Sequence, residues 1–68
     1  MDEVIFLVEE APEGGYAARA LGHSVFTEAD DWAELAAAVR EAVACHFETA
    51  VAPRVIRLHL VHEEVIPA

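Results

Sequence analysis

Two apolar runs flank the stretch Glu9-Glu10-Ala11-Pro12-Glu13-Gly14-Gly15, and this stretch limits the possible folds more than any other part of the chain. Pro12 fixes φ for an early turn position, while Gly14 and Gly15 accept positive φ without steric cost. Val4-Ile5-Phe6-Leu7-Val8 and the run from Tyr16 to Leu21 are therefore expected to pair as a β-hairpin. Its tip gathers three carboxylates, those of Glu9, Glu10 and Glu13.

The first strand is expected over Glu3 to Glu9. It is apolar on both alternations, with Val4, Phe6 and Val8 against Ile5 and Leu7, as in strands covered on both faces of a sheet. Tyr16 to Leu21 forms the second strand, Gly22-His23 a short turn, and Ser24-Val25-Phe26-Thr27 a short third strand. Consecutive strands with such short links make an antiparallel meander.

A helix is predicted from about Asp31 to about Glu48. Asp31 and Glu34 make a capping-box-like pair, with Asp30 as a competing cap. The alanine-rich stretch favours helix. Trp32, Leu35, Ala36, Val39, Ala42, Val43, His46 and Phe47 recur at helical spacing, which marks the buried stripe. Trp32 is read as a core anchor over the sheet. Thr49 to Arg54 is a linker in which Pro53 blocks helix continuation. Val55 to Val65, with Ile56, Leu58 and Leu60 opposite Arg57, His59 and Val61, is the fourth strand, ended by Pro67. The expected fold is a single α+β domain over residues 1–68 in the order β-β-β-α-β: a three-stranded antiparallel meander, one α-helix packed on one face, and a C-terminal strand.

A chain of 68 residues buries only about 60% of its unfolded surface, which leaves a monomer marginal. Cys45 is the sole cysteine, so no disulfide closes within one chain, and 56% of the residues are hydrophobic. One helix covers one sheet face. A second copy of the same surface is the simplest cover for the other, and the fourth strand is free to pair with its counterpart in a neighbour. A homo-oligomer, dimer or tetramer, is expected.

The formal net charge is −9, and the only basic side chains are Arg19, Arg40, Arg54 and Arg57. Direct nucleic-acid binding is disfavoured, because phosphates require Lys and Arg. A basic protein is the better electrostatic partner. No apolar run reaches the ~18 residues of a spanning helix, and Asp2-Glu3 after Met1 is the wrong start for a secretory signal. The expected location is cytoplasmic, with no membrane partner.

The residues argue against an enzyme, a cofactor or a metal centre. His59 and His62, three apart on a strand, fall on opposite faces, and no zinc spacing occurs. Cys45 and His46 are adjacent on a helix, about 100° apart, which is poor geometry for a nucleophile and its base. Gly14-Gly15 opens a strand, so it does not present a helix N-terminus to a phosphate.

The order of these elements carries further motifs: Glu9-Glu10, then Gly14-Gly15-Tyr16-x-Ala18, then Leu21-Gly22, then Thr27 leading into a capped helix. Over roughly its first fifty residues the chain resembles the HicB-like antitoxin family. It departs from the family pattern in carrying His23 after Gly22, where Cys is common, and in a longer turn before the helix. No helix-turn-helix or ribbon-helix-helix segment is expected after the domain, so operator binding is not carried over. The resemblance implies a small α/β domain, assembly into dimers or tetramers, and masking of a small, basic, mRNA-cleaving HicA-like toxin. The contact expected from charge and resemblance together involves Glu9, Glu10, Glu13 and Tyr16 on the hairpin, with Glu28, Asp30 and Asp31 at the helix start. The alternative reading is a stand-alone structural module of the same fold, oligomeric and without a toxin partner.

Overall fold

The computed structural model describes residues 2–68. Four strands and one helix follow in the order β1 (Glu3–Glu10), β2 (Tyr16–Ala20), β3 (Phe26–Ala29), α1 (Trp32–His46) and β4 (Val55–Val61), with a short 3-10 turn at Thr49–Val51 before β4. The strands form one sheet in the spatial order β3-β2-β1-β4. This is the expected α+β arrangement.

The hairpin turn is built as its residues dictate. The Ala11 carbonyl accepts from the Gly14 amide at 3.0 Å, and the Ala11 amide donates to the Gly15 carbonyl at 3.0 Å. Gly14 and Gly15 both carry positive φ, +103° and +84°. β1 then pairs antiparallel with β2, placing Phe6 opposite Ala20, Val8 opposite Ala18 and Glu10 opposite Tyr16. β2 pairs antiparallel with β3, with Tyr16 opposite Ala29 and Arg19 opposite Phe26. The third strand thus starts two residues later than its sequence suggests. The Val25 side chain is buried, but its carbonyl accepts the Ala20 amide at 2.9 Å across the 21–25 loop. Phe26 is accordingly the first residue of the β3 ladder.

β4 lies beside β1 of the same chain and runs parallel to it, with Val4 opposite Ile56, Phe6 opposite Leu58 and Val8 opposite Leu60. The sheet is therefore mixed. The start of β4 is tied down where the Arg54 and Val55 amides donate to the Asp2 carbonyl at 3.1 and 3.0 Å. Arg57 reinforces this with two hydrogen bonds, from Nε and one terminal nitrogen, to a single Glu3 carboxylate oxygen. The strand stops at Val61, short of the expected Val65.

Asp31 is extended and caps the helix: its Oδ1 accepts the Glu34 amide at 2.8 Å. The helix ends where Phe47 turns extended while its amide still donates to the Val43 carbonyl. Leu35, Val39 and Val43 are the buried helix residues. They close on Val4, Phe6, Val8, Ala18, Ala20 and Val25, and all core side chains of the sheet sit on this one face. Two members of the expected stripe lie outside it. Trp32 is 41% exposed and packs edge-on against Tyr16, with centroids 5.3 Å apart. His46 is exposed and meets Phe47 and His23 edge-on at the other end of the helix.

Within the chain β1 is covered on one side only. On the face away from α1, Ile5 and Leu7 are half-buried by their strand neighbours, while Leu21, Phe26, Val55 and Val61 are exposed. Arg19, Arg57, Glu9 and Glu28 alternate with them on that face.

Candidate functional site

The hairpin crest and the helix start are brought together by one close approach. A Cβ on Gly15 would stand 2.7 Å from the Ala29 carbonyl oxygen, a separation that no side chain tolerates, so only glycine lets the crest rest on the end of β3. The Tyr16–Trp32 edge contact joins the same two regions through side chains.

Between them opens a cleft of about 490 Å³ lined by Glu13, Glu28, Asp30 and Glu34, with Tyr16 in its wall; the Glu28 side chain, level with Ala17 in the ladder, projects to the other sheet face. Of the seven residues expected from the sequence, Glu13, Tyr16, Glu28 and Asp30 line the cleft. The Asp31 carboxylate is engaged as the helix cap. Glu9 and Glu10 diverge from the cleft: with Val61 and Glu63 they line a separate hollow of about 260 Å³ beyond β4. The Glu10 carboxylate lies 3.3 Å from His62 Nδ1, a contact that is charged only when the imidazole is protonated. Glu34 is the cleft member that the sequence expectation omits. Its signal is its place in the first turn of α1, three residues after the Asp31 cap.

The acidic side chains around this open, solvated cleft create a negative potential that attracts cationic side chains. His59 points to the open sheet face with Leu7, whereas His62 has left the strand. Among the described residues no group of three or more His, Cys, Asp or Glu is placed to hold a metal ion. Cys45 is exposed, and the rings of His46, Phe47 and His23 form their own cluster beside it. No described helix is long and apolar enough to cross a membrane.

The Arg57 guanidinium is held above its ordinary pKa, first by its hydrogen bonds to Glu3 and then by the charge of that carboxylate. The pair is solvent-exposed and sits at the sheet edge away from the cleft, so its role is to seat β4.

No protein-family model matches the chain, and no solved structure matches it. Two curated relatives do. A UPF0150 protein of Archaeoglobus fulgidus is 56% identical over 54 residues, spanning 79% of this chain and 80% of the relative. A UPF0150 protein of Thermotoga maritima is 34% identical over 64 residues, spanning 94% of this chain and 90% of the relative. Identity at this level over most of both lengths places the chain in their company: it belongs to the UPF0150 family.

Proposed function

We propose that this protein is a HicB-like, antitoxin-type binding module that masks a small, basic, mRNA-cleaving toxin. The observation that supports the reading best is the acidic cleft between hairpin crest and helix start, where Glu13, Asp30 and Glu34 line the space beside Tyr16. An mRNA-cleaving toxin presents cationic side chains at the surface that holds RNA phosphates. The cleft offers those side chains carboxylates in place of phosphates, and Tyr16 supplies a rigid aromatic contact of the kind enriched in protein interfaces. Masking of this type uses steric cover and charge and involves no covalent step.

The test uses a purified HicA-like toxin encoded beside this chain's gene. The chain is expected to stop RNA cleavage stoichiometrically, and binding should weaken as salt rises. Exchanging Glu13 and Asp30 for Lys should weaken binding by about tenfold or more through loss of attraction. A locus without a toxin gene, or a toxin that stays unbound at every ionic strength, overturns the reading and favours the stand-alone oligomeric module.

A further inference from the structure

Two features of this chain each lack a counterpart within it. The first is the segment after β4, His62-Glu63-Glu64-Val65-Ile66-Pro67-Ala68, exposed throughout. Val65 is 94% and Ile66 73% exposed, the most solvated large apolar side chains described. The second is a groove of about 330 Å³ between α1 and β4. Its floor is apolar, with Val39, Ile56 and Leu58, and Arg40 and Arg54 stand on its rim. Neither arginine has an ion-pair partner among the described residues.

We propose that the groove of one copy receives residues 63–66 of a second copy, and that the exchange is reciprocal. The chemistry of segment and groove is complementary in kind. Glu63 and Glu64 suit the two rim arginines, and Val65 and Ile66 suit the floor. In a molecule with a formal charge of −9, most surfaces repel a second copy, so a basic-rimmed groove is where an acidic segment meets least opposition.

The segment cannot serve its own groove. It leaves β4 after Val61, while the groove lies toward the opposite end of that strand, beside Arg54, Ile56 and Leu58. Travelling back from Val61 to Ile56 takes about 17 Å of extended chain. A reversal consumes the first three or so residues in the turn, which leaves Val65 and Ile66 level with the end of β4. A second copy approaching antiparallel meets no such limit. β4 is an edge strand, so the incoming segment also finds free backbone donors and acceptors beside the groove. Because each copy gives and receives the same segment, the pair closes on a two-fold axis without leaving a site open for a third.

The pairing stands apart from toxin masking: the groove and the acidic cleft have no residue in common. Sedimentation equilibrium of the full chain at tens of micromolar tests it. The wild-type protein is expected to be a dimer. Val65→Asp with Ile66→Asp should weaken dimerisation by about tenfold or more with an unchanged circular dichroism spectrum, since both side chains are solvated in the single chain. Arg40→Glu with Arg54→Glu should act alike, as should Glu63→Arg with Glu64→Arg. The chain carrying all four charge reversals should dimerise again. The inference is overturned by a wild-type monomer at these concentrations, by a dimer indifferent to the Val65 and Ile66 changes, or by charge reversals that fail to compensate. It is equally overturned if Phe26→Glu, on the open sheet face, dissociates the dimer while the Val65 and Ile66 changes leave it intact. Inhibition of the toxin is a separate readout, so either proposal can fail alone.

Discussion

At Gly15 the backbone runs at a φ of +84° with the Ala29 carbonyl oxygen where a Cβ would stand. Conformation and space both exclude a side chain, so Gly15→Ala should lower the unfolding free energy by about 1–3 kcal/mol, read from urea denaturation. Gly14, at +103° but with nothing near its missing Cβ, isolates the backbone part of that effect, and its alanine variant should cost about 1–2 kcal/mol. Asp31 illustrates a residue whose chemistry is already committed. Its Oδ1 holds the Glu34 amide at 2.8 Å, so Asp31→Ala should destabilise by about 0.5–2 kcal/mol while Asp31→Asn retains most of the cap. In toxin binding the same substitution should matter less than Glu13→Lys. Phe6 is completely buried, and its replacement by Ala should cost about 3–5 kcal/mol, enough to unfold a domain this small under mild conditions. The raised pKa of Arg57 means that its stabilising contribution is present below the unfolded-state pKa and is lost only as pH climbs through the folded one. That window is strongly alkaline, so Glu3→Gln should leave the shape of the pH–stability curve near neutrality to other groups.

Among the elements, β1 is paired on both sides, to β2 and to β4, whereas β3 and β4 each keep one edge free. In hydrogen exchange the β1 amides should therefore be the slowest and those of β3 among the fastest of the strands; a β3 that outlasts β1 would contradict this sheet order. The hairpin and the helix are legible in the sequence because their signals are local: the Pro12 and Gly14-Gly15 turn, the Asp31 cap, and Leu35, Val39 and Val43 at helical spacing. The parallel seat of β4 against β1 is not legible, because pairing between residues some fifty positions apart leaves no local trace. β3 is misplaced for a related reason. Glu28 and Ala29 have poor strand propensity, but their partners Ala17 and Tyr16 impose the ladder on them. Trp32 misleads because its helical phase matches the stripe while its position, the first residue of α1, lies past the edge of the core. The candidate cleft is half legible: Glu13, Tyr16 and Asp30 converge as their elements suggest, Glu28 lines it while its side chain points to the other sheet face, and Glu34 is hidden behind its part in the capping pair.

For the whole molecule, thirteen acidic side chains face four arginines, and among the described residues Arg57 with Glu3 is the one arginine–carboxylate ion pair; His62 with Glu10 adds to it only when the imidazole is protonated. Self-repulsion is thus poorly offset. Raising salt from low to physiological levels should stabilise dilute protein by about 1 kcal/mol, a rise in Tm of roughly 4–8 °C for a domain of this size. A fall in Tm would show that local attraction outweighs the overall field. The extents of 51, 21 and 18 Å describe an elongated body, since β4 runs on into seven solvated residues. Its two proposed contact regions, cleft and groove, use separate side chains on one small sheet, so pairing leaves the carboxylates available. The seating of the hairpin crest on the end of β3 has one last consequence. Because Gly15 welds the turn to the strand that feeds the helix, both jaws of the negative rim are fixed before any visitor arrives, and little motion remains to be frozen on capture. Encounter should then run at a rate governed by long-range attraction, and residence time by how well the visitor's own cations fit the gap.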